Sequence, residues 1–192
     1  EYFALVAAAA LLTDYILTVA VSISSGVAQL ASAYPALLPY RPHIATFMIL
    51  LVALINLRGV KESGTAFAIP TYFFILMMFS TVGVGFVRLI MGSLGTVVNP
   101  PELEIEHALT AITPFLLLHA FSSGTAALTG IEAISDGITA FKEPRGRNAG
   151  ITLIWMAVIL GSLFLGISFL TGQIHAIPSE SETVISQLTR TI

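Results

Sequence analysis

The chain has 192 residues, of which 56% are hydrophobic and 10% are charged. Soluble domains carry about a quarter charged residues, so this composition excludes an ordinary water-soluble protein and indicates an integral membrane protein. A net charge of -3 without runs of like charge argues against nucleic acid binding, and the absence of cysteine excludes disulfides and thiolate metal sites. The chain begins at Glu1 without a methionine or a signal-peptide pattern, and we expect it to be an internal piece of a longer protein.

Five stretches are apolar enough to cross a membrane as helices, each of which needs roughly 20 residues. They predict a single all-α membrane domain over residues 1–192, with five transmembrane helices at residues 2–31, 43–57, 66–91, 112–137 and 151–171. The first stretch would rise about 45 Å as a helix, which exceeds the hydrocarbon core, so we expect it to tilt. The second is shorter than a full crossing and needs either residues 39–42 or burial inside a bundle.

The basic residues predict the orientation, because short cytoplasmic loops collect lysine and arginine. The loop between the second and third stretches and the loop between the fourth and fifth hold most of them: Arg58, Lys61, Lys142, Arg145 and Arg147. These two loops are predicted to be cytoplasmic, with the first helix running from inside to outside. Residues 179–192 are predicted to form an amphipathic helix on the outer surface. Ser179 and Glu182 match a capping box, and the following turns have one apolar face at Val184, Ile185, Leu188 and Ile192.

The first helix carries a polar stripe. A carboxylate inside hydrocarbon costs several kcal/mol, so Asp14 is a candidate functional residue. At about 100° per residue the stripe falls within an arc of about 80°, which predicts a face turned toward protein; it comprises Asp14, Thr18, Ser22, Ser25 and Gln29. For Asp14, Thr18 and Ser22 the stacked oxygens favour a site for a dehydrated cation. For Ser25 and Gln29 helix packing is an equal alternative.

The fourth predicted helix contains a run of poor helix formers in mid-span, Ser122-Ser123-Gly124-Thr125. Unwound backbone at membrane depth is tolerated where it lines a cavity or is buried in protein. We therefore predict a broken helix of the kind that builds ion and substrate sites in secondary transporters. The polar face beyond the run comprises Thr125, Thr129, Glu132 and Asp136. A packing interface of small residues, Ala126 and Gly130, is the alternative.

The two carboxylates of this helix are predicted to differ in role. Glu132 lies about two turns past the predicted break and is expected to exchange a proton. Asp136 lies closer to the basic loop, where pairing with Lys142 or Arg145 is the favoured alternative. His119 precedes the break by one turn, and a packing role is favoured over a proton relay.

No catalytic, cofactor-binding or metal-binding motif accompanies these residues, so we expect neither an enzyme nor a cofactor. An intramembrane aspartyl protease would need Asp14 and Asp136 to converge from separate helices, and its motif is missing. A structural or regulatory membrane subunit without transport activity is the third class. Substrate uptake by the intact protein would separate the three.

Three segments resemble amino acid permeases of the APC superfamily. The segment FSSGTAALTGIEAISDGITAFKEPRGRN, residues 121–148, resembles their broken sixth helix and the cytoplasmic loop after it. The segment LLTDYILTVAVSISSGV, residues 11–27, is similar to the third helix of KimA-type proton-coupled potassium importers and related permeases. NLRGVKESG, residues 56–64, is similar to the loop between helices four and five. The first two motifs are fairly specific, and the third is common across permeases.

The resemblance implies that the chain covers helices three to seven of the five-plus-five inverted repeat known as the LeuT fold. Oxygens of helices one, three and six hold the ion in the potassium importers, and the matching positions here are Asp14, Tyr15, Thr18, Ser22, Thr129 and Glu132. Backbone groups of the helix-six break bind substrate in amino acid permeases, a role that falls on Ser123, Gly124 and Thr125. The resemblance implies proton-coupled potassium uptake at the cell membrane, with amino acid transport as the alternative. The expected partners are potassium or an amino acid, protons and membrane lipids, with a homodimer as one assembly to test.

Overall fold

The computed structural model describes residues 2–57, 59–100, 113–124, 129–179 and 181–192. All regular secondary structure within these ranges is helical, which confirms the all-α prediction for them. The α-helices are α1 Tyr2–Ala33, α2 Arg41–Asn56, α3 Val60–Ile90, α4 Pro114–Gly124, α5 Thr129–Asp136, α6 Arg145–Gln173 and α7 Val184–Thr191. Two 3-10 helices cover Pro35–Tyr40 and Gly137–Ala140.

Among the described residues, four helical segments are long and apolar enough to cross a membrane: Tyr2–Ala33, Pro35–Asn56, Gly64–Ile90 and Arg145–Gln173. They correspond to the first, second, third and fifth predicted stretches. The second begins at Pro35 rather than at His43, because the 3-10 helix runs directly into α2. Its 22 residues remove the shortfall that the sequence indicated. Pro35 and Pro42 fit here because both lie at helix starts, where a missing N–H leaves no bond unmade.

The fourth predicted stretch coincides with two short helices, α4 with 11 residues and α5 with 8. Ser122, Ser123 and Gly124, which the sequence placed in a break, are helical and end α4. Any interruption therefore lies beyond Gly124, at a position where glycine commonly ends a helix. Thr125 and the rest of residues 125–128 lie outside the described residues. A broken span at 112–137, a total of five spans and the LeuT fold stay predictions.

The first compact unit of the chain is Glu1–Gly64, in which α1 and α2 form a helical hairpin. The backbone turns at Tyr34, whose N–H donates to the Leu30 carbonyl at 3.0 Å. Val27 and Ala31, one turn apart on α1, are 5% and 1% exposed and form the face that packs on α2 and the preceding 3-10 helix. Small and β-branched side chains at this contact allow the two helices to approach closely.

The second compact unit is Thr65–Ile192, and its core lies where α3 and α6 pack together. The buried cluster comprises Met78, Val82, Val97, Leu163, Leu170, Ile174 and Leu188. Phe86 of α3 stacks on Phe169 of α6 with ring centroids 5.8 Å apart. Gly166 makes this approach possible, because a Cβ atom there would lie 2.7 Å from Val82 Cγ1.

The last helix, α7, closes one end of this core. It begins at Val184, and the Thr183 hydroxyl accepts a hydrogen bond from the Ser186 N–H at 3.2 Å. The predicted capping box is therefore wrong. Ser179 Oγ instead accepts from the Ser181 N–H at 3.1 Å, and the Glu182 carboxylate is held by Arg190. Thr183 takes the capping role because it directly precedes the apolar face of the helix.

The predicted amphipathic helix over residues 179–192 corresponds in part to α7, which begins at Val184. Leu188 is fully buried, and Ile185 and Ile192 pack against the α3–α6 core. Gln187 is also fully buried, where its side-chain amide donates to the Ile177 carbonyl at 2.6 Å and accepts from the Ile177 N–H at 3.0 Å. The position of α7 on the outer surface stays a prediction.

Candidate ion and substrate site

The predicted cation-binding stripe lies on a helix that runs without interruption from Tyr2 to Ala33. Asp14, Thr18 and Ser22 therefore recur within an arc of about 80° and over an axial rise of about 12 Å. Tyr15, which the family resemblance added, lies about 20° beyond the edge of that arc. All four positions share one side of the helix. Their binding roles stay predictions.

The stripe faces away from the helix that α1 packs against. Val27 and Ala31, the buried residues, lie about 140° or more from the Ser22 edge of the stripe. Asp14 and Ser22 are exposed within the first unit and Thr18 is half-buried. The apolar contact with α2 thus orients α1 so that its oxygens point to the opposite side. These oxygens alone do not complete a cation shell, which needs about six ligands.

Asp14, Thr18 and Ser22 of the stripe differ from Thr13 and Thr46 in the hydrogen bonding of their side chains. Thr13 donates to the Ala9 carbonyl at 2.9 Å, and Thr46 donates to the Pro42 carbonyl at 2.9 Å. Within the described residues, the side chains of Asp14, Thr18 and Ser22 form no hydrogen bond and no ion pair. Their oxygens are therefore available to a ligand, whereas those of Thr13 and Thr46 are engaged by the backbone.

The other predicted site residues lie on α4 and α5. The predicted substrate-binding residues Ser123 and Gly124 end α4, and Thr129 begins α5. The last carbonyls of one helix and the first amides of the next have no partners within their own helices. Thr125, the remaining predicted residue of this group, lies outside the described residues.

On α5, Glu132 lies within about 60° of both Thr129 and Asp136, so the three share one face. Glu132 is half-buried and Asp136 is exposed. Gly130 lies on another face of the helix and packs on α6, where a Cβ at Gly130 would approach Met156 Cε to 2.8 Å. The packing interface and the polar face, which the sequence offered as alternatives, thus lie on different sides of α5. Gly130 lies on the packing side, and Glu132 lies on the polar side. As in α1, the apolar contact turns the carboxylates toward the opposite side.

The remaining polar candidates have local contacts. Arg145, one expected partner of Asp136, forms an ion pair with Glu143 at 3.2 Å. His119 pairs with the Phe115 ring at a centroid distance of 6.3 Å, an aromatic contact that suits a packing role. Among the described residues no cluster of three histidine, aspartate or glutamate side chains could hold a metal ion.

One residue of interest, Arg41, does not stand out from the sequence pattern. In the structure Arg41 is half-buried and lines a cavity between α1 and α2. Its position within a long apolar segment, next to Pro42, is the signal that could have singled it out.

Comparison with known proteins places this arrangement in a family. An amino acid permease family matches residues 1–188 of the chain. The chain belongs to this family. It is 46% identical over 184 residues to the potassium transporter KimA of Bacillus subtilis (strain 168). The aligned region covers 96% of this chain and 30% of that protein. It is 30% identical over 158 residues to the low affinity potassium transport system protein Kup of Pectobacterium atrosepticum. This second aligned region covers 79% of this chain and 23% of that protein.

These relatives confirm the resemblance to APC-superfamily permeases that the sequence motifs predicted. The chain is part of a multi-pass protein of the cell membrane, in keeping with its four long apolar helices in the described residues. Both relatives are named for potassium transport rather than for an enzymatic reaction. The chain spans less than a third of the length of either one.

Proposed function

We propose that the protein containing this chain is a secondary transporter that takes up potassium together with protons. The observation that carries the proposal is Asp14, a carboxylate without an ion-pair partner in the described residues, on the polar side of a 32-residue apolar helix. A buried negative charge in hydrocarbon is costly unless a cation compensates it. A transported cation would supply that compensation once per cycle.

The proposed ion-binding residues are Asp14, Tyr15, Thr18 and Ser22 of α1 and Thr129 of α5, as the family resemblance implies. Carboxylate, hydroxyl and carbonyl oxygens are hard ligands that replace the hydration shell of an alkali cation. The name and identity of the KimA relative support potassium as that cation. We further propose that the chain supplies helices three to seven of a LeuT-type fold, with the fourth predicted span, residues 112–137, interrupted between α4 and α5.

Glu132 is the proposed proton carrier. It is half-buried on the polar face of α5 and has no ion pair within the described residues. A carboxyl group in such a place can neutralise by protonation when it faces the low-dielectric interior, which links its charge to the conformational cycle. In this proposal Asp14 binds the transported cation, and Glu132 carries the coupled proton.

Amino acid transport is the second candidate, because the matching family is described as amino acid permease. In that case the helix ends near Ser123, Gly124 and Thr125 would bind the substrate. The last carbonyls of α4 and the first amides of α5 lack partners within their own helices, and such groups suit an amine and a carboxylate respectively.

Uptake by the intact protein in proteoliposomes under an imposed proton gradient tests both candidates. Potassium uptake that rises with an inward proton gradient supports the first proposal. Uptake of an amino acid without potassium uptake would support the second. Neither uptake, from protein that is folded and correctly inserted, would contradict the transporter assignment. Growth rescue of a host lacking its own potassium importers provides the same decision in cells.

A further inference from the structure

A cavity between α1 and α2 that contains one charged side chain is separate from the proposed transport site. It has a volume of about 320 Å³ and is lined by Ser24, Val27, Arg41, Pro42 and Ala45. Ser24 and Val27 lie on the side of α1 that is at least 80° from both edges of the Asp14 stripe. No acidic side chain lines the cavity. Its one charged residue would repel a cation, so it does not extend the proposed potassium site.

The Arg41 side chain is half-buried at this cavity. Within the described residues its guanidinium group forms no ion pair and no hydrogen bond. A guanidinium presents five N–H donors in a planar fork that matches phosphate or carboxylate oxygens. A partly desolvated cation without an anion is unfavourable, so the cavity chemistry calls for an anionic ligand.

The position of Arg41 in the hairpin indicates where that ligand comes from. Arg41 begins α2 directly after the 3-10 helix Pro35–Tyr40, which opens the second candidate membrane span. Tyr34 and Tyr40 flank this 3-10 helix with 64% and 58% of their surface exposed, and the Tyr40 ring meets His43 edge-on at 6.5 Å. Exposed tyrosines at the end of an apolar span are typical of the membrane–water interface. These tyrosines indicate that the start of the second span, where the cavity lies, is near the lipid headgroups.

We propose that this cavity binds the phosphate of an anionic phospholipid, with the Arg41 guanidinium as its main ligand. Ser24 of α1 also lines the cavity, and a serine hydroxyl can donate one further hydrogen bond. The site is independent of the transported substrate. It fixes the α1–α2 hairpin at the interface through a specific headgroup contact.

The test uses the complete protein in nanodiscs of phosphatidylcholine alone or of a one-to-one mixture with phosphatidylglycerol. Arg41→Gln removes the fork, and Arg88→Gln, at an exposed position in the last turn of α3, removes the same charge without a cavity. Native mass spectrometry counts the retained phosphatidylglycerol, and thermal unfolding measures the stabilisation that it confers. We expect Arg41→Gln to weaken retention about tenfold, since a hydrogen bond to a charged group is worth about 1.5–3 kcal/mol. Arg88→Gln should retain the lipid like the unchanged protein.

Several outcomes would overturn the proposal. Equal loss of phosphatidylglycerol retention in both variants would indicate diffuse attraction of the lipid to the protein surface. If the unchanged protein showed no preference for phosphatidylglycerol over phosphatidylcholine, there would be no specific lipid site. Stabilisation by inorganic phosphate in phosphatidylcholine discs, lost in Arg41→Gln, would identify a soluble anion as the ligand instead. Equal unfolding temperatures of the variants in pure phosphatidylcholine show that folding is intact. Should Arg41→Gln fail to fold, Arg41→Lys, which keeps the charge but loses the fork, must show reduced retention for the proposal to stand.

Discussion

At the scale of single residues, this chain handles polar groups in apolar helices in two ways. Hydroxyl groups such as Thr13 and Thr71 donate to the carbonyl four residues earlier, at 2.9 and 2.7 Å, and so satisfy themselves within the helix. Asp14, Thr18 and Ser22 do not do this within the described residues. Hydroxyl groups of the first kind are bonded to the backbone of their own helix, whereas oxygens of the second kind remain available to a ligand.

Asp14→Asn keeps the size of the side chain and removes its charge. We expect the KM for potassium to rise about tenfold or more, because a charged contact is worth about 1.5–3 kcal/mol, while the pH dependence of uptake is kept. Thr13→Val is the matched control, since its hydroxyl bonds only to Ala9 and lies off the stripe. Initial rates of potassium uptake against concentration measure both. An unchanged KM in Asp14→Asn contradicts the assigned role.

Glu132→Gln mimics a permanently protonated carboxyl group and cannot exchange a proton. Uptake by this variant is expected to lose most of its dependence on pH, whereas Asp136→Asn, on the same face of α5, should keep it. Uptake rates across a series of external pH values check the difference. If only Asp136→Asn alters the profile, the proton carrier has been assigned to the wrong residue.

At the scale of elements, the α3–α6 pair and the helix α7 are held by contacts that are specific in shape and in hydrogen bonding. Gly166 lets α6 approach α3, and Gln187 links α7 to the backbone just beyond α6. The Arg190 guanidinium donates hydrogen bonds to both carboxylate oxygens of Glu182 and a further one to the Val98 carbonyl at 2.8 Å. The loop after α3, the end of α6 and α7 are thereby bonded to one another.

Gly166→Ala is expected to destabilise the protein by about 1–3 kcal/mol, the usual cost of overpacking a close contact. The added methyl would meet Val82 Cγ1, and valine has little freedom to change its rotamer in a helix. Gly161→Ala on the same helix has open space around the new methyl and should be neutral or slightly stabilising. Thermal unfolding in detergent compares the two. Equal unfolding temperatures would show that the α3–α6 contact is looser than described.

Gln187→Leu keeps the bulk of a fully buried side chain but leaves the Ile177 N–H and carbonyl without their partners. The expected loss is about 1–3 kcal/mol for each buried polar group left unsatisfied. Thr189→Ala, an exposed position on the same helix, should change stability by no more than about 0.5 kcal/mol. Protease susceptibility of the segment 177–192 provides the readout, with faster cleavage expected for Gln187→Leu alone. Identical cleavage rates would mean that Gln187 does not hold α7 in place.

At the scale of the whole molecule, the sequence predicts that the loops rich in basic residues face the cytoplasm. Because the chain contains no cysteine, single introduced cysteines report sidedness directly, provided that other cysteines of the complete protein are removed. Gly146→Cys should react with an impermeant thiol reagent only after the membrane is opened. Asn99→Cys, at an exposed loop position, should react from outside in intact cells. The reverse pattern would invert the topology and the direction of the proposed uptake.

What the sequence determined depends on properties that act locally along the chain. Apolar stretches long enough for hydrocarbon, the spacing of Asp14, Thr18 and Ser22, and the motifs of the permease family could all be read from neighbouring residues. The tertiary structure decided which helix faces pack, because such contacts join residues far apart in the sequence. It turned the Asp14 side of α1 away from α2, brought Gly166 against Val82, and buried Gln187 against Ile177. The structure also shows that Thr183, and not the predicted Ser179, caps α7, and that a cavity lies beside Arg41. Such hydrogen bonds and cavities depend on where backbone segments meet in space.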